Sequence, residues 1–486
     1  MGDEVLNALM KKGLLLSPEL VVKLRTPESG YLLQKIKKLL TQENPPAIID
    51  EAILEEQQIQ QKTIDSNDYS VEIIESHMAN SANREVKDFV EYFSARFRFI
   101  SSILLNRGEL SGPVSIARLT HKSDRETVSL IGMITSIDYT KNGNIRLSLE
   151  DPTGSVGVIV TKSNSDLFKQ AATLTLDEVI GVVGSGGKNI VFASSIVWPE
   201  SPIIELKKSP ADEYAIVLSD LHVGSKQFMG QEFARFLKWI RGEVGSPKQT
   251  EIASKTKYVF IIGDLVDGVG IYPGQFDELT IKDIYQQYEA CADLIKQIPK
   301  DKTVIICPGN RDALRLAEPQ PPLSPELAKP LYELSNVIMV SNPSTVRIGK
   351  KSNFSGFDVL LYHGYSFDYY VANVEYLRNN GGYNNPELIM KYLLKRRHLA
   401  PSHGSTLYSP EKLNDALTIN HVPDFMLTGH IHKASISNHK NVTLVCGSCW
   451  QAKTSFQEKV GHEPEPCRVP VINLKTRKMK LLKFGV

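Results

Sequence analysis

Five apolar runs in this chain each stop at residues able to bind a metal, and that recurrence limits the fold more than any other feature. Tyr214-Ala215-Ile216-Val217-Leu218 carries no charge and gives way at once to Asp220 and His222. The pattern returns at Gly263-Asp264, Gly309-Asn310, His363-Gly364 and Gly429-His430-Ile431-His432. Unbroken apolar runs of this length read as strands buried on both faces, which belong to sheets covered by helices. Strands of that kind ending at one edge gather their last residues into one crevice, where ligands sit in open α/β sheets.

Composition sets the bounds. A chain of 486 residues is too long for one core and predicts two to four domains. It holds 56 basic and 55 acidic residues, a formal charge of +1, so any nucleic-acid surface must be local. Five cysteines are too few for a disulfide framework and read as free thiols in a reducing compartment. Cys446 and Cys449 have metal-like spacing, with Cys467 and His462 further on, but a second pair is missing and the structural reading is preferred. No apolar stretch approaches the ~20 residues of a membrane span, and the acidic start Met1-Gly2-Asp3-Glu4 is unlike a signal peptide, so a cytoplasmic protein without membrane association is expected.

Read in order, residues 1–41 form a small helical module: Ser17-Pro18 and Thr26-Pro27 are helix starts, and Leu32, Leu33, Ile36, Leu39 and Leu40 make a stripe. Residues 42–80 are polar and rich in glutamine and acids, a flexible linker, with an exposed helix over 48–61 as the alternative. Residues 81–112 hold an amphipathic helix whose face is Val86, Phe89, Val90, Phe93, Phe97, Ile100 and Leu104. Residues 113–205 contain five short strands with a helical stretch between the third and fourth, which resembles an OB-fold barrel. Its few aromatics, chiefly Tyr139, Phe192 and Trp198, favour packing over direct DNA binding. From 206 to 486 strands and helices alternate, as in a layered α/β domain.

The candidate ligands are Asp220, His222, Asp264, Asn310, His363, His430 and His432. Carboxylates, imidazoles and an amide oxygen suit a divalent ion such as manganese, iron or zinc. Seven ligands exceed what one such ion takes. Two ions sharing a carboxylate would use them all, and such a pair clamps both oxygens of an in-line phosphoryl displacement.

This ordered series, together with Asp267 and Asp312, resembles the calcineurin-like metallophosphoesterase superfamily. The stretches Pro308-Gly309-Asn310-Arg311-Asp312-Ala313-Leu314-Arg315-Leu316-Ala317-Glu318-Pro319-Gln320 and Leu394-Lys395-Arg396-Arg397-His398-Leu399-Ala400-Pro401 resemble a narrower group, the small subunits of archaeal family D DNA polymerases. The resemblance covers about residues 85–486. It implies a calcineurin-like phosphodiesterase domain over 206–486. Asp220, His222 and His432 would hold one ion, Asn310, His363 and His430 the other, with Asp264 bridging and Asp267 supporting that bridge. It further implies a 3′-to-5′ proofreading exonuclease with manganese as the activating ion, and iron, zinc or magnesium as alternatives. The implied partners are a large polymerising subunit, a single-stranded 3′ DNA end, and a sliding clamp or primase.

One position departs from the pattern. The superfamily usually has Gly-Asn-His-Asp where this chain has Gly309-Asn310-Arg311-Asp312. Arginine stays protonated, so Arg311 can stabilise phosphate charge but cannot give up a proton. Arg311 and Asp312 are the candidate catalytic residues, and weakened activity is expected. The alternative is a catalytically silent scaffold that holds the large subunit. Lys391, Lys395, Arg396 and Arg397, and Lys475, Arg477, Lys478, Lys480 and Lys483, are solvated faces or a path for a DNA backbone. In the second cluster the interleaved Met479, Leu481, Leu482 and Phe484 suit a closing strand.

Overall fold

The computed structural model describes residues 71–78, 84–121, 126–187, 190–410, 414–454, 457–458 and 462–485, with two short strands before them. The chain forms two compact units, residues 1–70 and 71–486. In the first, β1 (Leu15–Leu16) and β2 (Ile48–Ile49) pair in parallel. The helices expected over 1–41 and most of the linker expected over 42–80 lie outside the described residues.

The second unit opens with a departure from expectation. Residues at the end of the expected linker form β3 (Glu72–Ser76), which pairs antiparallel with a strand some 270 positions later, Ser344–Ile348. The helix expected next is α1 (Val86–Leu104), opened by a reciprocal cap between Glu85 and Asp88. Its buried face is rotated from the expected one: Val86 and Val90 are exposed, while Tyr92, Ala95, Arg96, Ile100 and Leu104 are buried.

Next come β4 (Thr127–Tyr139), β5 (Ile145–Asp151), β6 (Gly154–Val160), α2 (Ser165–Ala171), β7 (Val179–Gly187) and β8 (Ile190–Val197). They close into a barrel in the order β4-β5-β6-β8-β7. Alternation puts Ile145, Leu147 and Leu149 of β5 inside the barrel. Trp198 is buried beneath Lys395, whose Nζ lies 3.6 Å from the ring centre, and Tyr139 and Phe192 stay exposed.

The α/β region is built on two six-stranded sheets, the second of which takes in β3. Its main elements include β9 (Tyr214–Leu218), α3 (Gly230–Ile240), β10 (Thr256–Ile262), α4 (Ile284–Ile295), β11 (Thr303–Cys307), β12 (Val337–Met339), β13 (Ser344–Ile348) and β14 (Phe357–Leu361). After them come α5 (Phe367–Asn373), α6 (Pro386–Arg396), β15 (Phe425–Thr428), β16 (Ser435–His439), β17 (Val442–Cys446), β18 (Arg468–Asn473) and β19 (Met479–Lys483). One sheet runs β12-β11-β10-β9-β18-β19 and the other β16-β17-β15-β14-β13-β3. The first packs Ile216, Leu218 and Val259 against Phe233, Phe236 and Trp450; the second packs Met426 and Leu444 against Tyr370 and Leu393. As the tail composition suggested, β19 is the closing edge strand.

The two basic clusters are not continuous surfaces. Arg396 is buried with Nε 2.9 Å from Glu178 of the barrel. Arg397 donates to the carbonyls of Ile419 and Asn420, and Arg477 to that of Asp424 and to Thr443 Oγ1. These guanidiniums serve as internal struts, which a count of charges along the chain cannot distinguish from solvated ones. All five cysteines are buried free thiols, and burial pushes Cys446 and Cys467 up to about 12. Among the described residues no helix is long and apolar enough to cross a membrane.

Candidate metal centre

The ends of strands from both sheets meet at one cleft. Asp220 and His222 follow β9, Asp264 follows β10 and Asn310 follows β11, all in the first sheet; His363 follows β14, and His430 and His432 follow β15, in the second. Five of these seven, Asp220, His222, Asp264, His430 and His432, have φ between 52° and 68°. L-residues rarely adopt that region, and such strain persists only where surrounding bonds hold it, typically at functional sites. Here Asp220 N donates to Gly263 O at 3.0 Å, His222 N to Asp264 O at 3.1 Å and His430 N to Asp220 Oδ2 at 2.9 Å. The glycine at 309 is required by close approach, because a Cβ there would overlap the Asp264 carboxylate.

The side chains converge. His432 Nε2 lies 3.4 Å from Asp220 Oδ1 and 3.1 Å from His222 Nε2. Asp264 faces both ways, with Oδ2 3.9 Å from His222 Nε2 and Oδ1 3.5 Å from His363 Nε2. Asn310 Oδ1 lies 2.9 Å from both His363 Nε2 and His430 Nδ1. Asp220, His222 and His432 form one group with metal-holding geometry, and Asp220, Asp264 and His363 form another. Burial would raise the carboxyls of Asp220 and Asp264, but the neighbouring imidazoles outweigh it and hold both below the usual range. Burial likewise would lower His363, and the Asp264 charge overcomes it, raising the ring to about 10.

Two features fit a divalent cation. Asp220 Oδ1 is buried without a hydrogen bond, and two imidazole nitrogens face each other across 3.1 Å. The donor set of carboxylate, imidazole and amide oxygen is the one borderline and hard divalent ions take.

Outside the seven, one expectation changes. Asp267 supports His222 rather than Asp264: its Oδ1 lies 3.1 Å from His222 Nδ1, and it also accepts from Gln275 and Gln451. Asp312 is buried. Its carboxylate accepts from Gly309 N at 2.8 Å, from Leu265 N and from Tyr288, bracing the loop from behind, and burial plus the Asp264 charge raise it to about 7. Arg311 does line the cleft; its backbone N donates to Asp264 Oδ1 at 2.7 Å, its guanidinium lies 5.0 Å from the Tyr272 ring, and Nη1 is buried without a partner.

Sequence reasoning missed Asp368, in the first turn of α5, whose Oδ2 lies 2.9 Å from His430 Nε2. It also missed Gln457, whose Nε2 is 2.9 Å from His432 Nδ1. Neither has a sequence signal, since each acts only through a ligand distant in the chain. The cleft they line, about 230 Å³, also includes Tyr272, Tyr365 and His462.

Comparison with known proteins decides the family. The DNA polymerase II small subunit of Methanothermobacter thermautotrophicus is 38% identical over 419 residues, covering 86% of this chain and 84% of that protein. The chain belongs to the archaeal DNA polymerase II small-subunit family. The small subunit of Archaeoglobus fulgidus is 38% identical, covering 84% of this chain and 79% of its own length. That of Pyrococcus furiosus is 39% identical over 82% of this chain but 64% of its own length. Residues 215–437, which hold all seven ligand-type residues but begin just after Tyr214, match the family of the B subunits of DNA polymerases alpha and epsilon. Among solved structures, the Stn1–Ten1 complex of S. pombe aligns at 20% identity and a TM-score of 0.14, over 14% of this chain and 55% of that one. Overlap that small bears no weight on the fold.

Proposed function

We propose that this small subunit carries a two-metal 3′-to-5′ exonuclease site that proofreads for a large polymerising subunit. The observation behind this reading is the convergence of seven ligand-type side chains at one cleft, where Asp220 Oδ1 is buried without a hydrogen bond. Asp220, His222 and His432 would hold one ion and Asn310, His363 and His430 the other. The placement of Asp264 between His222 and His363 suits the bridge. Two divalent cations, manganese first and iron, zinc or magnesium as alternatives, would supply Lewis acidity at the attacking and leaving oxygens of a phosphodiester.

The chain's own residues do the rest. Asp267 and Asp368 hold the rings of His222 and His430 in place, as carboxylates behind metal-binding histidines do. Arg311 offers Nη1 to a phosphate oxygen while its guanidinium rests over the Tyr272 ring. It has no proton to give the leaving oxygen, so the reaction is slow. On this reading the two-sheet domain is a calcineurin-like phosphoesterase and the barrel an OB-fold. The strand order β4-β5-β6-β8-β7 with α2 between β6 and β7 supports the latter. The partners are the large subunit, a single-stranded 3′ DNA end, and a sliding clamp or primase.

Arg311 also favours a second reading, a catalytically silent scaffold for the large subunit. Metal content and 3′-end degradation, measured with and without the large subunit, separate the two. The nuclease reading expects manganese-dependent shortening that Asp264→Ala abolishes. Bound metal without shortening in either protein leaves the scaffold, and absence of bound metal rejects the two-metal site itself.

A further inference from the structure

The loop between β10 and α4 does more than carry Asp264 and Asp267. Its base is locked by polar contacts: buried Gln275 donates to Asp267 O at 2.9 Å and accepts from Ile271 N at 2.8 Å, and Thr280 N donates to Gly224 O at 2.7 Å. Its outer side has the opposite character. Val269, Ile271 and Phe276 are 38%, 42% and 52% exposed, and Tyr285, in the first turn of α4, is 52% exposed. Single exposed apolar side chains are ordinary, but four within residues 269–285, on a segment held firmly at its base, concentrate apolar exposure beside the cleft that Ile271 lines.

Two cations interleave with its rings. Lys282 Nζ lies 4.3 Å from the centre of Phe276, and the Arg311 guanidinium carbon lies 5.0 Å from that of Tyr272. Ile271, Tyr272 and Arg311 also line the cleft, so the exposed surface runs into the candidate metal centre. Aromatic planes interleaved with cations beside a cleft receive unpaired bases, whose faces are free; a duplex hides those faces in its stack. The acidic side chains here, Asp277, Glu278 and Asp283, oppose a phosphate track across the loop, which leaves bases as the part of a strand it can contact.

On the reading that the cleft hydrolyses a DNA end, we propose that residues 268–285 form a stacking platform for the unpaired bases of single-stranded DNA, centred on Phe276 and Tyr272. It selects a frayed end over a paired one. The test titrates the full chain, in EDTA, into an oligodeoxynucleotide carrying 2-aminopurine beside its 3′ end, with a blunt duplex of the same sequence as reference. Phe276→Ala is expected to weaken single-strand binding roughly tenfold, the scale of one base–aromatic stack, and to remove the fluorescence quenching. Phe276→Tyr retains both. If the alanine variant does not fold, Phe276→Leu, which keeps apolar volume without a π face, gives the same readout.

Unchanged affinity and quenching in Phe276→Ala overturns the platform. So does loss of large-subunit binding with single-strand binding intact, which assigns the surface to a protein partner. Without metal, binding is read apart from hydrolysis. A chain that stacks bases but never degrades DNA refutes only the nuclease reading, and one that degrades DNA with Phe276→Ala binding unchanged refutes only the platform.

Discussion

Asp312 is buried against the N–H groups of Gly309 and Leu265, beside the charge of Asp264, and its carboxyl is raised to about 7. An unfolded aspartate releases its proton near pH ~4. Between about pH 4 and 7 the folded chain therefore keeps a proton that the unfolded chain has lost, and stability falls as pH rises through that window. In metal-free chain, Asp312→Asn should reduce that slope by up to ~1.4 kcal/mol per pH unit, read by denaturant unfolding at stepped pH. Glu318, also raised to about 7 by burial, has the same sign and leaves a residual slope. Beside it, Arg311→His restores a proton donor and is expected to raise manganese-dependent 3′-end degradation by ~10²–10⁴. No gain in single-turnover rate would place the limit elsewhere. Arg311 stands out against the superfamily pattern that these motifs resemble, whereas the bracing role of Asp312 depends on which way its carboxylate turns.

At the scale of elements, α1 shows where periodicity stops being informative. Spacings of three and four identify the helix, but the buried face centres on Arg96, which an apolar stripe omits. Arg96 Nε lies 2.6 Å from Asp415 Oδ2, and the guanidinium packs against the rings of Tyr92, Phe93 and Tyr408. Breaking a fully buried pair leaves an uncompensated charge, so Arg96→Ala should cost ~3–5 kcal/mol, visible as a lowered Tm. Arg96→Ala with Asp415→Ala should cost less than the sum of the single changes. Additive losses would mean the pair does not couple. β3 was illegible for a related reason: its partner strand is far away in sequence, and its polar surroundings conceal a short edge strand.

Over the whole molecule, the candidate centre lies across two sheets. Asp220 and Asp264 come from one and His363, His430 and His432 from the other, so an ion held there ties the sheets together. Manganese at a hundredfold excess over its Kd should stabilise the chain by ~2.7 kcal/mol, and Asp264→Ala should lose most of the resulting Tm shift. An identical shift in that variant would place the binding site elsewhere. Periodicity and residue chemistry are local, and they sufficed to read apolar strands ending in seven ligand-type residues and a barrel of five strands with a helix, while the unusual place of Arg311 came from the resemblance of these motifs to the calcineurin-like superfamily. Long-range packing alone settled that two sheets share the cleft, that Asp267 and Asp368 stand behind His222 and His430, and that Arg96, Arg396, Arg397 and Arg477 are internal. Those outcomes depend on which distant segments pack together, and no local pattern encodes that.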